Sequence, residues 1–293
     1  MTIAVTGANS SVGVSLLDHL GALGEDDVIA CVRSERAAEA LPSAPRISAH
    51  VVPYEDHAGL VRALTGADCV VHLAGILIEW KGTRYEDANV GTAEAVARAA
   101  AEAGVGHLVQ VSVIGADAAS SNRYFRTKGQ AEDAFSRTGI PTTILRTPIL
   151  LGPGTAGAAA LARTVKMGKA RLLGGGAYTM RPLDADDLTR ALVSICRRRP
   201  DGSAVHELVG PEPVTYRALV ERAARSVGAE VSLGSMPIAL AKVGAWLRRR
   251  VSGGGVTPTV IDVITMNEVV ERNADAELGV PLTALEETLK KIL

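Results

Sequence analysis

The opening stretch, Met1 to Gly13, restricts the fold of this chain more than any other segment does. Residues 2–5 are apolar or β-prone and predict a buried strand, Gly7 breaks that strand, and an apolar helical pattern has begun by Ser11. A glycine-rich turn between a strand and a helix lets the backbone approach a phosphate, which then meets the free N–H groups and the positive dipole end of the helix. The residues predicted to hold a pyrophosphate are Gly7, Asn9, Ser10, Ser11, Val12 and Gly13.

Predicted strands and helices alternate along the first half of the chain. Further strands are expected at 28–32, 47–52, 69–73, 107–113 and 142–145, and the longest helices at 85–103 and 121–136. Short links between alternating elements predict right-handed crossovers and a doubly wound parallel sheet, which is an α/β fold. Beyond Gly154 the alternation loosens. We therefore expect a nucleotide-binding domain at 1–154, a smaller and partly interwoven α/β lobe at 155–293, and a flexible joint or hinge at Ser252 to Gly255.

The end of the second predicted strand indicates which nucleotide the chain binds. In sites that prefer NAD an acidic residue commonly ends this strand and binds the ribose hydroxyls of the adenosine. Here Arg33 and Arg36 follow the strand, and a guanidinium suits a 2′-phosphate because it donates two hydrogen bonds to it. We predict NADP as the cofactor, with NAD as the alternative, and Arg33 and Ser34 as contacts. Arg36 fits the exposed start of a helix equally well.

Two further strand ends are predicted to contact the cofactor, because ligands of such sheets lie outside the carboxyl ends of the strands. Leu73 ends the fourth strand, and the small pair Ala74 and Gly75 that follows would let the adenosine half lie against the backbone. Pro148 follows the sixth strand and is included among the predicted contacts. Without the opening turn, Ala74 and Gly75 would fit an ordinary turn equally well.

Tyr124 and Lys128 lie four residues apart and share one face of a predicted helix. A tyrosine with its ordinary pKa of ~10 is a poor base at neutral pH, but a nearby ammonium favours the phenolate and is expected to lower that pKa. Such a tyrosine can exchange a proton with a hydroxyl or carbonyl while a nicotinamide moves a hydride. The lysine can also hold the nicotinamide ribose. The alternative is an exposed pair of helix residues without a chemical role.

Charge and cysteine placement exclude several other classes of protein. The formal net charge of −1 gives the chain no general attraction to nucleic acid. Cys31, Cys69 and Cys196 lie in apolar runs without the spacing of metal ligands, which predicts buried thiols in a reducing compartment. A strand that begins at Thr2 leaves no room for a signal peptide, and no apolar run reaches the ~18 residues that span a bilayer. We expect a cytoplasmic protein that acts on a small molecule, with no metal and no integral membrane segment.

Ten motifs spread over nearly the whole chain carry a resemblance to a known family: TGANSSVG (6–13), CVRS (31–34), HLAG (72–75), NVGT (89–92), VSVIGAD (111–117), YFRTK (124–128), LRTPILLGPG (145–154), PLDADDL (182–188), LVGPEPVTY (208–216) and ELGVPLTALEETL (277–289). On these motifs the chain resembles the extended or atypical branch of the short-chain dehydrogenase/reductase family, which is epimerase/dehydratase-like. Within that branch it is most similar to NmrA-like NAD(P)-binding proteins related to an accessory subunit of respiratory complex I. The resemblance implies a Rossmann-type fold, bound NAD(P), a carboxy-terminal lobe that closes over the substrate, and a possible homodimer paired through the helices at 85–103 and 121–136.

Two positions depart from the pattern of that family. Ser10 stands where extended members usually keep a glycine, although a serine fits the turn and its hydroxyl could reach a phosphate oxygen. Active members place a Ser or Thr at the strand end before the tyrosine to bind the substrate carbonyl. The matching position here is Val113, and Ser112 lies one residue early. Adjacent side chains of a strand point to opposite faces, so Ser112 can complete a catalytic triad only if the strand has ended or bulged there.

Two functions of different classes follow from these residues. The first is an NAD(P)(H)-dependent oxidoreductase or epimerase, with Tyr124 as the acid/base, Lys128 as its partner and Ser112 as the third member. The second is a protein that binds NADP(H) for sensing or assembly without turnover, which the missing hydroxyl before the tyrosine favours. A nucleotide-sugar epimerase is a narrower form of the first function. In it Arg171 and Arg181 would hold a diphosphate, although both residues also fit an exposed surface.

Overall fold

The computed structural model describes residues 1–252 and 255–293. The strands are β1 (Thr2–Thr6), β2 (Asp27–Val32), β3 (Ile47–Val51), β4 (Cys69–His72), β5 (His107–Val113), β6 (Thr142–Thr147), β7 (Leu150–Leu151), β8 (Lys169–Leu173), β9 (Thr179–Met180), β10 (Leu183–Asp184), β11 (Ala204–Glu207), β12 (Val214–Thr215) and β13 (Ser232–Met236). The α-helices are α1 (Ser11–Leu23), α2 (Glu35–Glu39), α3 (His57–Leu64), α4 (Thr92–Glu102), α5 (Arg123–Ser136), α6 (Ala156–Met167), α7 (Ala185–Arg198), α8 (Tyr216–Ser226), α9 (Ile238–Ser252), α10 (Pro258–Ile264), α11 (Asp275–Leu278) and α12 (Leu285–Ile292). The joint predicted at Ser252 to Gly255 includes residues 253 and 254, which lie outside the described residues.

Seven parallel strands form the central sheet in the order β11-β6-β5-β4-β1-β2-β3. The chain builds one half outward from β1 to β3 and then crosses back to β4, so the strand order reverses between β1 and β4. Loops on the two sides of such a reversal part at the carboxyl ends of the strands and leave a crevice for a ligand. The predicted Rossmann-type, doubly wound α/β fold is confirmed.

Helices cover both faces of the sheet, and each face has its own apolar core. Ile3 and Val5 of β1 face the core that α1 and α7 complete, whereas Ala4 faces the core that α3, α4 and α5 complete. This alternation is the two-residue period of a strand buried on both faces. The three cysteines are free thiols buried in these cores, as predicted.

A third apolar core joins α6, α8 and α12 in the carboxy-terminal part of the chain. The same part also supplies β11, which pairs with β6 at the edge of the central sheet, and α7, which packs against α1. The two parts are therefore interwoven through one strand and one helix. The domain boundary at Gly154 and pairing of two copies through α4 and α5 remain predictions.

Two features are absent from the described ranges 1–252 and 255–293. No helix there combines the length and the apolar character that crossing a membrane requires. Nor do those residues bring three or more His, Cys, Asp or Glu side chains together as a metal site would.

The helix predicted at 85–103 differs at its start, where Glu86–Gly91 forms a π-helical turn ahead of α4. The wider turn carries Asn89, whose side chain is 1% exposed. Its Oδ1 accepts a hydrogen bond from the Ile76 backbone N–H at 2.8 Å, and its Nδ2 donates to Oγ1 of Thr127 at 3.1 Å. The inserted turn thus fastens the loop after β4 to helix α5, and π-helical turns of this kind are frequent at functional sites.

Candidate functional site

The turn after β1 has the geometry predicted for a phosphate-binding turn. Gly7 has a φ of +73°, and a Cβ there would lie 2.8 Å from the backbone nitrogen of Ala74. A Cβ on Gly13 would lie 2.4 Å from the carbonyl oxygen of Ala8, so the start of α1 packs directly on the turn. Ser10 is the N-cap of α1, and its hydroxyl oxygen accepts a hydrogen bond from the Gly13 N–H at 3.0 Å. A serine therefore fits this turn because it caps the helix.

A cavity of about 180 Å³, here called the small cavity, lies at the reversal of strand order. Seven of the residues predicted to bind cofactor line it, namely Gly7, Asn9, Ser10, Arg33, Leu73, Ala74 and Gly75. Sequence reasoning missed six others, namely Val32, Tyr54, Ile76, Thr83, Ala88 and Thr92. Ser11, Val12 and Gly13 form the first turn of α1 directly after the lining residues. Ser34 is the N-cap of α2 and accepts a hydrogen bond from the Ala37 N–H at 3.3 Å.

Arg33 and Tyr54 stand together at the small cavity. Arg33 is exposed at its rim, whereas Arg36 lies in α2 and is not among the lining residues that the structure describes. Burial raises the pKa of Tyr54 to about 12, and the nearby charge of Arg33 opposes that rise. The structure thus separates the two arginines, because Arg33 lines the small cavity and Arg36 lies on the neighbouring helix.

Tyr124 occupies the first turn of α5, where Asn122 caps the helix by accepting hydrogen bonds from the N–H groups of Tyr124 and Phe125. Its side chain is 7% exposed and lies in the wall of a second cavity of about 450 Å³, here called the large cavity. Burial raises the pKa of Tyr124, and the neighbouring Tyr85 raises it further. The predicted lowering of this pKa by Lys128 is therefore wrong for this structure, because burial and the neighbouring Tyr85 both act in the opposite direction. Tyr124 is a neutral phenol at pH 7.

Lys128 lies one turn further along α5 and is 6% exposed. Its ammonium donates a hydrogen bond to the carbonyl oxygen of Val111 at 3.1 Å. A Cβ on Gly75 would lie 3.8 Å from its Nζ, so the ammonium adjoins the wall of the small cavity. Burial lowers the pKa of Lys128 to about 8, partly offset by the charge of Glu132. The amine is therefore charged at neutral pH, although its pKa is close to that pH.

The stability of the protein is expected to rise with pH between about 8 and 10.5 through Lys128, by about 3 kcal/mol. Over that range the folded chain has released the Lys128 proton and the unfolded chain still binds it, so raising the pH favours the folded state. Urea unfolding at several pH values checks this. A Lys128→Met variant should lose this part of the rise, whereas a variant of the exposed Lys81, Lys81→Met, should keep it. Equal slopes for the parent and Lys128→Met would contradict the buried, charged amine.

Ser112 does not reach either cavity, and its predicted place in a catalytic triad is wrong. Its side chain is 1% exposed and its hydroxyl donates to Oε1 of Glu132 in α5. The guanidinium of Arg146 donates to both carboxylate oxygens of the same residue, at 3.0 and 2.6 Å. Strand β5 continues through Val113 without a bulge, so Val113 lines the large cavity and Ser112 faces away from it.

Of the remaining predicted residues, Pro148 and Arg171 line the large cavity. Pro148 lies there with Tyr124 and is not among the described lining residues of the small cavity, which seven of the other predicted cofactor contacts line. Arg171 also lines the large cavity, but the guanidinium of Arg181 donates to the carbonyl oxygens of Gly210 and Pro211. The two arginines suggested for a diphosphate are therefore not brought together at one site.

The two cavities adjoin along the loop after β4. Ile76 lines the small cavity, and the next residue, Leu77, lines the large one. Lys128 adjoins the first and Tyr124 lines the second, and the two residues lie one turn apart on α5. The glycine turn at the strand reversal, with Arg33 at its rim, defines a dinucleotide-binding protein of the Rossmann class.

The chain belongs to the NAD(P)H-binding family, whose family model matches residues 7–171. The NAD(P)-binding family predicted from the motifs is thereby confirmed, and it implies a cofactor of the NAD(P) type without a choice between the two. One relative is subunit 9 of the NADH dehydrogenase [ubiquinone] 1 alpha subcomplex, mitochondrial, of Arabidopsis thaliana, 29% identical over 226 residues, or 74% of this chain and 56% of the relative. Another is a (4-alkanoyl-5-oxo-2,5-dihydrofuran-3-yl)methyl phosphate reductase of Streptomyces griseus, 28% identical over 229 residues, or 77% of this chain and 74% of the relative.

Solved structures share the fold over nearly the full chain. MoeE5 in complex with UDP-glucuronic acid and NAD superposes with a TM-score of 0.78 at 20% identity, covering 99% of this chain and 97% of that one. The Citrobacter sp. triphenylmethane reductase complexed with NADP(H) gives 0.74 at 22% identity, covering 99% and 100%. At such identities the likeness shows the fold. The chain spans 56% and 62% of the length of the first curated relatives that it matches.

Proposed function

We propose that this protein is an NADP(H)-dependent oxidoreductase that reduces a carbonyl group, with Tyr124 as the proton donor. The observation that supports this best is the position of two side chains on one helix. Lys128 adjoins the small cavity and Tyr124 lines the large one, while Ile76 and Leu77 join the two cavities. A cofactor in the first and a substrate in the second would meet beside this pair.

The small cavity and the turn before it have the groups that a dinucleotide needs. The free N–H groups at the start of α1 suit the pyrophosphate. Gly7 packs closely against Ala74, so no side chain from this position occupies the small cavity. The ammonium of Lys128 would donate to the ribose hydroxyls next to the nicotinamide. When bound, the nicotinamide supplies the hydride that the protein itself lacks.

Tyr124 would act as the acid of the reduction. A neutral phenol at pH 7 can donate its proton to the carbonyl oxygen as the carbonyl carbon gains a hydride, which yields an alcohol. The resulting phenolate would be stabilised by the positive charge of Lys128 and would recover its proton from water. Burial of Tyr124 favours the neutral form, which is the form that can donate a proton.

A second function has its own supporting observation. The position of the usual hydroxyl is occupied by Val113, and the neighbouring Thr147 hydroxyl donates to the carbonyl oxygen of Ser112 at 3.2 Å. A protein that binds NADP(H) without turnover would not need a hydroxyl at this position of the large cavity. A relative of this chain is a subunit of NADH dehydrogenase. Measuring NADPH consumption with a panel of aldehydes and ketones tests the enzymatic proposal against this alternative.

An Arg33→Ala variant is expected to bind NADPH at least about tenfold more weakly and to bind NADH almost unchanged, because only NADPH carries the 2′-phosphate. Fluorescence titration with each nucleotide measures both constants. Arg36→Ala is the matched control, since it removes the same charge from the neighbouring helix α2. Equal losses for NADPH and NADH in Arg33→Ala would contradict a 2′-phosphate contact and favour NAD as the cofactor.

A further inference from the structure

We infer that the large cavity binds an uncharged, predominantly apolar carbonyl compound rather than a nucleotide sugar. This inference rests on the proposed function, because it assumes that the carbonyl carbon is the reacting atom beside Tyr124. It concerns the body of the substrate, which the rest of the cavity would surround.

The wall of the large cavity is apolar over most of its surface. Of its 21 described lining residues, only Arg171 and Glu268 carry a formal charge. Both parts of the chain contribute apolar side chains, such as Ile149 from the first part and Leu172 and Val263 from the second. A volume of about 450 Å³ lies within the range of sites that enclose most of a small ligand. Contact with this wall would stabilise a ligand by removing apolar surface from water.

Two threonine hydroxyls in the wall of the large cavity are already engaged by the backbone. Thr147 donates to the carbonyl oxygen of Ser112 at 3.2 Å, and Thr164 donates to that of Ala160 at 2.9 Å. Arg171 is exposed, and among the described lining residues it is the one cation. A diphosphate normally needs several N–H donors or paired guanidinium groups, and this wall does not bring them together.

Glu268 strengthens the argument against an anionic substrate. It lines the large cavity, and its Oε2 accepts a hydrogen bond from the Arg181 N–H at 2.7 Å, which holds the carboxyl group in place. Burial raises its pKa above the ordinary value, so the site already resists one negative charge. A phosphate nearby would add like charges in a poorly hydrated space, whereas a neutral ligand would not.

Chain-length dependence measures the predicted preference directly. The parent protein with NADPH is given a series of 2-alkanones and straight-chain aldehydes of increasing length, and UDP-glucose and UDP-glucuronic acid for comparison. We expect kcat/KM to rise about fourfold for each added methylene until the cavity is filled. A flat series, or a nucleotide sugar that outcompetes the longest alkanone, would overturn the inference.

Binding without turnover separates this inference from the proposed function. Calorimetric titration of the Tyr124→Phe variant, saturated with NADPH, with alkanones of the same series gives affinities that do not depend on proton transfer. Affinity that rises with chain length supports an apolar site, even if the parent protein consumes no NADPH with any carbonyl compound. Absence of NADPH consumption together with such affinities would reject the proposed oxidoreductase and still support an apolar ligand. Affinity independent of chain length would reject the ligand class alone.

A variant of the cavity wall localises the effect. Ile264 lines the large cavity and is 37% exposed at the end of α10, so a charge there is compatible with folding. Ile264→Glu should weaken binding of the longest alkanone at least about tenfold, and Ile264→Leu should restore it. Leu240→Glu on α9 is the matched control, because Leu240 is 64% exposed and is not among the described lining residues. Equal affinities in Ile264→Glu and Leu240→Glu would place the apolar site elsewhere.

Discussion

A Tyr124→Phe variant is expected to lose NADPH-dependent carbonyl reduction by about 10²- to 10⁴-fold while binding NADPH as tightly as the parent protein. The substitution removes only the phenolic hydroxyl, which is the proton donor, and keeps the ring that packs against Tyr85 and Phe125. Initial rates of NADPH consumption give the first quantity, and fluorescence titration gives the second.

Tyr85→Phe is the matched control for this prediction. The Tyr85 hydroxyl donates to the carbonyl oxygen of Leu77 at 2.7 Å, and its ring lies 5.8 Å from that of Tyr124. Its removal costs a buried hydrogen bond and should leave most of the turnover. If both variants lost turnover equally, the effect would be one of packing. If Tyr124→Phe kept full turnover, Tyr124 would not be the acid.

A Glu132→Ala variant is expected to lower the free energy of unfolding by about 3 kcal/mol. The Glu132 carboxylate is buried and accepts hydrogen bonds from Ser112 and from both donor atoms of Arg146. Its loss would strand the partly buried Arg146 guanidinium, whose pKa the carboxylate raises, without a counter-charge. Urea unfolding followed by circular dichroism measures the change.

Two milder variants separate the effect of the Glu132 charge from that of its hydrogen bonds with Ser112 and Arg146. Glu132→Gln keeps an acceptor and should lose less stability than Glu132→Ala. Ser112→Ala removes one donor, should cost about 1 kcal/mol, and should leave carbonyl reduction unchanged because Ser112 faces away from the large cavity. A large loss of turnover in a well-folded Ser112→Ala protein would restore the serine to the catalytic site.

Much of the fold could be predicted from local patterns. The glycine turn at Gly7, the alternation of strands and helices, and the shared face of Tyr124 and Lys128 depend on backbone geometry and on residues close in sequence. Such features do not depend on how distant segments of the chain pack. Seven of the predicted cofactor residues accordingly line the small cavity.

Long-range contacts decided the parts that prediction missed. Asn89 holds the loop after β4 to α5, and Tyr54 joins the small cavity from the end of a third strand. Asn89 begins the NVGT motif, but neither that motif nor the sequence around Tyr54 indicates these contacts. The hydrogen-bond partners of Asn89 are Ile76 and Thr127, which are 13 and 38 positions away in the sequence. Only the packing of the sheet and helices brings these residues together.

The sequence by itself therefore determined the nucleotide-binding architecture, because turns, strand periodicity and helix faces are properties of short segments. The tertiary structure alone decided what each polar group does within it. The Ser112 hydroxyl donates its hydrogen bond to Glu132 instead of facing a substrate. Burial raises the pKa of Tyr124, whereas proximity to Lys128 in the sequence predicted a lower pKa. Long-range hydrogen-bond partners and the hydration of a side chain depend on which distant segments surround it, and the local sequence does not specify those segments.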